Sequence, residues 1–122
     1  MLGSHMDRAE FITVEQTPKD LILSFAIAPS AQYSLVLLRS PPYEFLLPEE
    51  ERGITIAMVP RDADADRNLL LSVVWKGTRV DLRSQMRTYV VDVSMVDKGE
   101  ISAGQKLLRQ MAKDGVADVR IA

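Results

Sequence analysis

The stretch from Leu69 to Val96 constrains the fold more than any other part of the chain. It opens with an apolar run broken by one serine, Leu69 to Trp75. Lys76-Gly77 follows as a turn signal, and then Thr78, Val80 and Leu82 alternate with Arg79, Asp81 and Arg83. After Ser84-Gln85-Met86 comes a second β-rich run, Thr88 to Val96. β-branched and aromatic residues bounded by a glycine turn read as paired strands. We take this stretch as the centre of an antiparallel sheet.

The rest of the chain extends that sheet. Glu10 to Gln16 alternates weakly, and Thr17-Pro18-Lys19-Asp20 reads as a turn. From Leu21 to Ala28, the period of two puts Leu21, Leu23, Phe25 and Ile27 on one face. Tyr33 to Arg39 forms a third strand, which Ser40-Pro41-Pro42 must end because proline cannot donate to a ladder. A short strand is expected over Tyr43 to Leu47, then a charged hairpin tip at Glu49 to Gly53 and a returning strand from Ile54 to Val59. Arg61 to Asn68 is a polar loop. Beyond Val96 the period changes. Asp97 to Glu100 reads as a turn, and Ser102 with Gln105 three residues later fits a capping box. Leu107, Leu108, Met111 and Ala112 then recur at helical spacing, with Gly115 as a C-cap. Val116 to Ile121 is either a last short strand or a tail. The expected fold is therefore mainly β: an antiparallel β-sandwich or partly open barrel of about eight short strands with one C-terminal amphipathic helix.

Gly3-Ser4-His5-Met6 has the form that a cleaved tag leaves, so residues 1–5 are read as an expression-tag remnant and residues 6–122 as a single globular domain. Without His5 the chain has neither histidine nor cysteine. That excludes Ser-His and Cys-His nucleophile systems and the usual zinc sites. It also excludes a disulfide framework and makes a cytoplasmic setting the default. No apolar run approaches the ~20 residues that span a bilayer, so no membrane partner is expected. Net charge is −2 but uneven. Glu10 to Asp66 holds ten acids and four bases, whereas Arg67 to Ala122 holds six acids and ten bases. An acidic half and a basic half favour docking with a partner or with a second copy. The competing reading is that loops simply face water.

Candidate chemistry is sparse. Asp62, Asp64 and Asp66 have the alternate spacing that opens a calcium loop. Arg67 stands where that loop needs glycine, and Val73 where it needs glutamate, so no metal is expected. Glu49, Glu50 and Glu51 form an acidic run suited to a basic partner, or else a soluble tip. Arg79, Arg83 and Arg87 with Lys76 suggest phosphate contacts, but few aromatics are interleaved and acids are near, so nucleic acid is not expected. Trp75 is either an exposed anchor for a partner or a cap on the core. Tyr33 and Tyr43 flank the proline break and are candidates for a ligand cleft. No pair of acids has catalytic spacing, so the chain is read as a non-enzyme without cofactors.

The order of features is similar to that of small bacterial immunity proteins, which neutralise polymorphic toxins. The likeness lies in Asp20 to Ala26, Tyr33 to Ser40, the short Tyr43-Glu44-Phe45 segment, the Gly53-Ile54 return and the helix around Leu107 to Met111. It spans residues 10–113 in pattern. The resemblance implies a non-enzymatic blocker whose acidic loops, at Glu49 to Glu51 and Asp62 to Asp66, meet a basic toxin domain. The alternatives are a small-ligand-binding β domain, with the ligand between sheet and helix near Tyr33, Tyr43 and Trp75, and a structural protein that dimerises through a sheet edge. The β-prone Leu69 to Trp75 run is the edge expected to self-pair.

Overall fold

The computed structural model describes residues 6–62 and 66–122. Eight strands form one sheet: β1 (Met6–Gln16), β2 (Leu21–Ile27), β3 (Tyr33–Arg39), β4 (Thr55–Val59), β5 (Leu70–Lys76), β6 (Arg79–Ser84), β7 (Thr88–Asp92) and β8 (Asp118–Ile121). One helix, α1 (Lys98–Met111), lies between β7 and β8 in the chain. The strand order is β4-β3-β2-β1-β7-β6-β5-β8. Neighbours are antiparallel except at two junctions, where β1 runs parallel to β7 and β5 runs parallel to β8. The expected mainly β fold with a single late helix is what the chain adopts.

β1 is the seam of the sheet. Met6 to Arg8 pair with β7, whereas Phe11 to Gln16 pair with β2, and the register slips between Ala9 and Phe11. Past Arg8 the β7 side of β1 has no strand partner, and an edge amide needs an acceptor. The Glu100 carboxylate of α1 supplies one, accepting the Ile12 amide at 2.8 Å. At the far side β4 curls back towards the start of β5. Ile56 N–H donates to Asn68 O at 3.0 Å and Leu70 N–H to Ile54 O at 2.8 Å. The sheet is thus a partly open barrel, drawn together at one corner but not closed.

The inward faces follow the period of two. Leu23, Phe25, Leu35, Leu37, Ile56, Val73, Trp75, Val80, Leu82 and Val91 are all buried. α1 fills the concave side with Leu107, Leu108 and Met111. It comes close because residue 104 is glycine. A Cβ there would stand 3.3 Å from Ile12 Cγ2, 3.4 Å from Leu23 Cδ1 and 3.6 Å from Trp75 Cη2. The helix therefore touches opposite walls of the barrel at one point.

Several local expectations are corrected. Tyr43 to Leu47 is not a strand: Pro41–Leu46 is a 3-10 helix with proline at its first positions, and a second 3-10 turn covers Glu49–Glu51. Two prolines preset the φ of a helical turn and remove amides that a ladder would need. α1 begins at Lys98, capped by Asp97, whose carboxylate accepts the Gly99 amide at 2.9 Å. Ser102 therefore lies inside the helix and does not cap it. β7 stops at Asp92, where the side chain accepts the Ser94 amide and turns the chain. The Leu70–Lys76 strand is an interior one, between β6 and β8, so it is not the exposed edge expected to self-pair. The tail is a strand, paired with β5 over Asp118 to Ile121.

Candidate functional site

The candidate site grows from the end of β3. Leu35, Leu37 and Arg39 share the inward face, so period two carries an arginine into the interior, where it is 6% exposed. A buried guanidinium needs acceptors for five N–H groups. Arg39 donates from Nε and Nη2 to both oxygens of Glu44, at 2.8 and 2.9 Å. It donates from Nη1 and Nη2 to both oxygens of Asp114, each at 2.8 Å. Its fifth bond goes from Nη1 to the Met111 carbonyl at 2.6 Å, at the C-terminal end of α1. One side chain thus ties β3, the first 3-10 helix and the turn after α1 together.

The electrostatics follow. Hydrogen bonds to the Asp114 and Glu44 carboxylates hold the Arg39 guanidinium above its ordinary range, against the opposing effect of burial. The same bonds from Arg39 push the Asp114 carboxyl down to about 2 and lower that of Glu44. Two acids converge here, but on a cation that consumes their lone pairs. The arrangement is a lock rather than an acid–base pair.

Glu44 in turn fixes the segment that follows. Leu47 N–H donates to Glu44 O at 2.9 Å, Arg52 Nε to Leu47 O at 3.1 Å and Arg67 Nε to Glu51 O at 2.9 Å. On this pinned backbone Phe45 is 71% exposed and Leu46 68% exposed. Glu49, Glu50 and Glu51 follow and all face solvent. Tyr43 and Leu46 border a pocket of about 290 Å³ that Leu38, Thr55 and Arg67 complete. The structure thus places the acidic run beside an exposed apolar pair. Sequence reading missed Arg39, Phe45 and Leu46. The inward parity of Arg39 was the available signal for the first of these.

The other candidates are dispersed. Asp62 is largely covered. It accepts the Met58 amide at 3.1 Å and pairs with Arg61 at 3.3 Å. Burial works against its charge, yet the Met58 amide, Arg61 and Arg87 together hold its carboxyl below the ordinary range. Asp62 thereby seals the free edge of β4 and is not an exposed acidic contact. Asp66 is exposed, and Asp64 lies outside the described residues. Asp62 and Asp66 border a pocket of about 370 Å³ together with Arg67, Asn68, Arg87 and Tyr89. Arg67 and Arg87 bring positive charge to the same pocket.

Trp75 is fully buried, with its ring 5.9 Å from that of Phe25, so it caps the core and offers no anchor to a partner. Its Nε1 has no hydrogen-bond partner among the described residues. Tyr33 opens β3 and Tyr43 lies past its other end, and they border different pockets, one with Pro29, Met58 and Arg61, the other under Leu46. They do not share a cleft. The close approach at Gly104 likewise packs the space between sheet and helix where a ligand was expected. Among the described residues no group of three acids or other metal-ligating side chains converges, and no helix is long and apolar enough to cross a membrane. No family model matches the chain, and no curated protein or solved structure matches it either.

Proposed function

We propose that this chain is a non-catalytic protein-binding domain and that residues 41–52 are the segment that meets the partner. One observation carries the reading. The first 3-10 helix exposes Phe45 and Leu46 on a backbone that the Arg39–Glu44 pair and two further arginines hold in place. Exposed apolar side chains on a fixed loop lose little entropy on binding, which is what a recognition loop requires. With Glu49 to Glu51 beside them, they suit a partner with an apolar recess rimmed by basic groups. The resemblance to immunity proteins makes that partner a toxin domain with a basic surface. The absence of cysteine supports a cytoplasmic setting for the encounter.

The test is capture from the source cells by cross-linking. The bait is the wild-type chain, a Phe45→Ala/Leu46→Ala variant or a Glu49→Lys/Glu50→Lys/Glu51→Lys variant. The expected result is one protein retained by the wild type and lost from both variants while their melting temperatures stay put. A toxin activity in that protein, blocked by the wild type alone, would add the immunity role. Equal capture by all three baits, or by none, removes the reading.

A further inference from the structure

The sheet ends in two edges, β4 and β8. The chain itself occupies the first. Ile56 N–H donates to Asn68 O at 3.0 Å, Asp62 N–H to Met58 O at 2.7 Å and Met58 N–H to the Asp62 carboxylate at 3.1 Å. The second edge is left open. Ala122 N–H donates to Trp75 O at 2.9 Å, so the even-numbered residues along β8 turn their backbone groups towards β5. Backbone groups alternate sides along a strand, so Ala117, Val119 and Ile121 turn theirs away from it. Among the described residues the Val119 and Ile121 amides have no hydrogen-bond partner. Unpaired edge groups of this kind are a template for another strand.

The side chains of β8 select the strand that fits. Asp118 and Arg120 point outward, 61% and 76% exposed, and pair with each other at 3.3 Å. Val119 and Ile121 point the other way and are half-buried, packed against the core at its margin. Consider a two-fold axis perpendicular to the sheet that lays β8 antiparallel to β8 of a second copy. Opposite residues must point to the same face, so the axis passes through a residue and not between two. At Asp118 or at Arg120 it would set a charge against its own image. At Val119 it sets Asp118 against Arg120 of the other copy, once on each side.

In that register the backbone groups also match. Val119 exchanges both N–H···O bonds with its image, and Ile121 exchanges them with Ala117 of the other copy. Asp118 and Arg120 fall at the non-hydrogen-bonded positions, where opposing side chains stand closest. On the inner face Val119 meets Val119 and Ile121 meets Ala117, which covers the margin of the core with apolar contacts. Charges on an edge strand ordinarily deter pairing. Here the order acid, apolar, base makes the edge complementary to itself. We propose that β8 is the interface of a homodimer, in which two copies join edge to edge as one continuous sheet about an axis at Val119.

Strand addition takes its affinity from main-chain hydrogen bonds and its selectivity from alternate side chains, so it does not need the area of a face-to-face contact. With a strand of 4 residues from each copy the dimer is a reversible one, its dissociation constant on the order of 100 μM. It uses no residue of the 41–52 segment, so the dimer and the partner loop stand or fall separately.

Sedimentation equilibrium decides it. The wild type should pass from monomer to dimer as its concentration rises to ~1 mM. Arg120→Asp and Asp118→Arg each set like charges across the axis at two places and should each weaken the dimer by about 30-fold. Mixed one to one, these two variants should form a heterodimer, because opposite charges then meet at both places. Asp118→Arg/Arg120→Asp, which exchanges the two charges, should dimerise like the wild type. A variant that had merely unfolded would be rescued in neither way. Arg83→Asp, on the same outward surface but away from the edge, should leave the equilibrium alone. Amide exchange reports the register. The Val119 and Ile121 amides should exchange about fivefold more slowly at ~1 mM than in dilute solution. A wild type that stays monomeric throughout overturns the proposal. So does a dimer indifferent to the charge reversals, an equimolar mixture that stays monomeric, or a dimer in which those two amides exchange as they do in the monomer.

Discussion

A guanidinium taken out of water must recover five hydrogen bonds, and Arg39 recovers all five from Glu44, Asp114 and the Met111 carbonyl. Removing it strands two carboxylates and a helix-end carbonyl, so Arg39→Met should cost about 3 kcal/mol in denaturant unfolding. Arg39→Lys, with three donors on a point charge, should recover only part of that. The lock also sets a pH dependence. Both carboxyls are held below their ordinary values, so their contribution is whole above about pH 5. It fades as pH falls through the depressed values, to about 2 for Asp114. Wild type and Asp114→Asn should therefore differ most in urea midpoint near neutrality and converge towards pH 2. A gap independent of pH would show that Asp114 does not act through its charge. The inward parity of Arg39 was legible, two residues after Leu37. Its acceptors were not: one lies 5 residues away and another 75, and nothing local marks Asp114 as a partner. Trp75 is a similar case. Alternation puts it on the side of Val73, but only the packing of α1 decides that this side is interior.

At the level of elements, strands were read well and ends were not. β2 and β3 keep Leu21, Leu23, Phe25, Leu35 and Leu37 on one buried face because that face is core, and that parity survives any choice of neighbours. The segment after β3 has apolar residues at strand-like spacing, yet two prolines commit it to a 3-10 turn that leaves Phe45 and Leu46 in water. Pattern predicts a face, but only where hydrogen-bonding partners exist to make a strand. The start of α1 shows the same competition. Ser102–Gln105 and Asp97–Glu100 both have the form of a cap, and the earlier one wins. Asp97 takes the Gly99 amide, while Glu100 reaches across to the Ile12 amide on the unpaired side of β1. Asp97→Ala should cost about 1 kcal/mol by thermal unfolding, and Ser102→Ala close to nothing. The reverse order would restore the later cap. Gly104→Leu should cost more, about 2 kcal/mol or above, because Ile12, Leu23 and Trp75 leave a side chain no room.

For the whole molecule, the acidic and basic halves of the sequence become the two flanks of one sheet, β1 to β4 on one side and β5 to β8 on the other. The charge imbalance was legible, but the way the flanks meet was not, since it depends on few residues far apart in the chain. They meet at β1 through three residue pairs with β7 and again at the corner where β4 reaches β5. Asn68 holds that corner. Its carbonyl accepts the Ile56 amide at 3.0 Å, its Nδ2 donates to Ser84 Oγ at 3.0 Å and its Oδ1 accepts the Met86 amide at 3.1 Å. The side chain is 7% exposed, so water does not compete for these bonds. In Asn68→Ala the Met86 amide loses its acceptor and the corner loses its brace, at a cost of about 2 kcal/mol. Local opening should then precede global unfolding. Amide exchange at Ile56 and Leu70 should quicken by an order of magnitude or more, while amides in the β2–β3 ladder keep the protection that global stability gives them. Uniform acceleration across both ladders would mean that the corner is merely part of one cooperative core. Unchanged exchange at Ile56 and Leu70 would mean that the flanks are joined by β1 alone and that the barrel is held at a single seam.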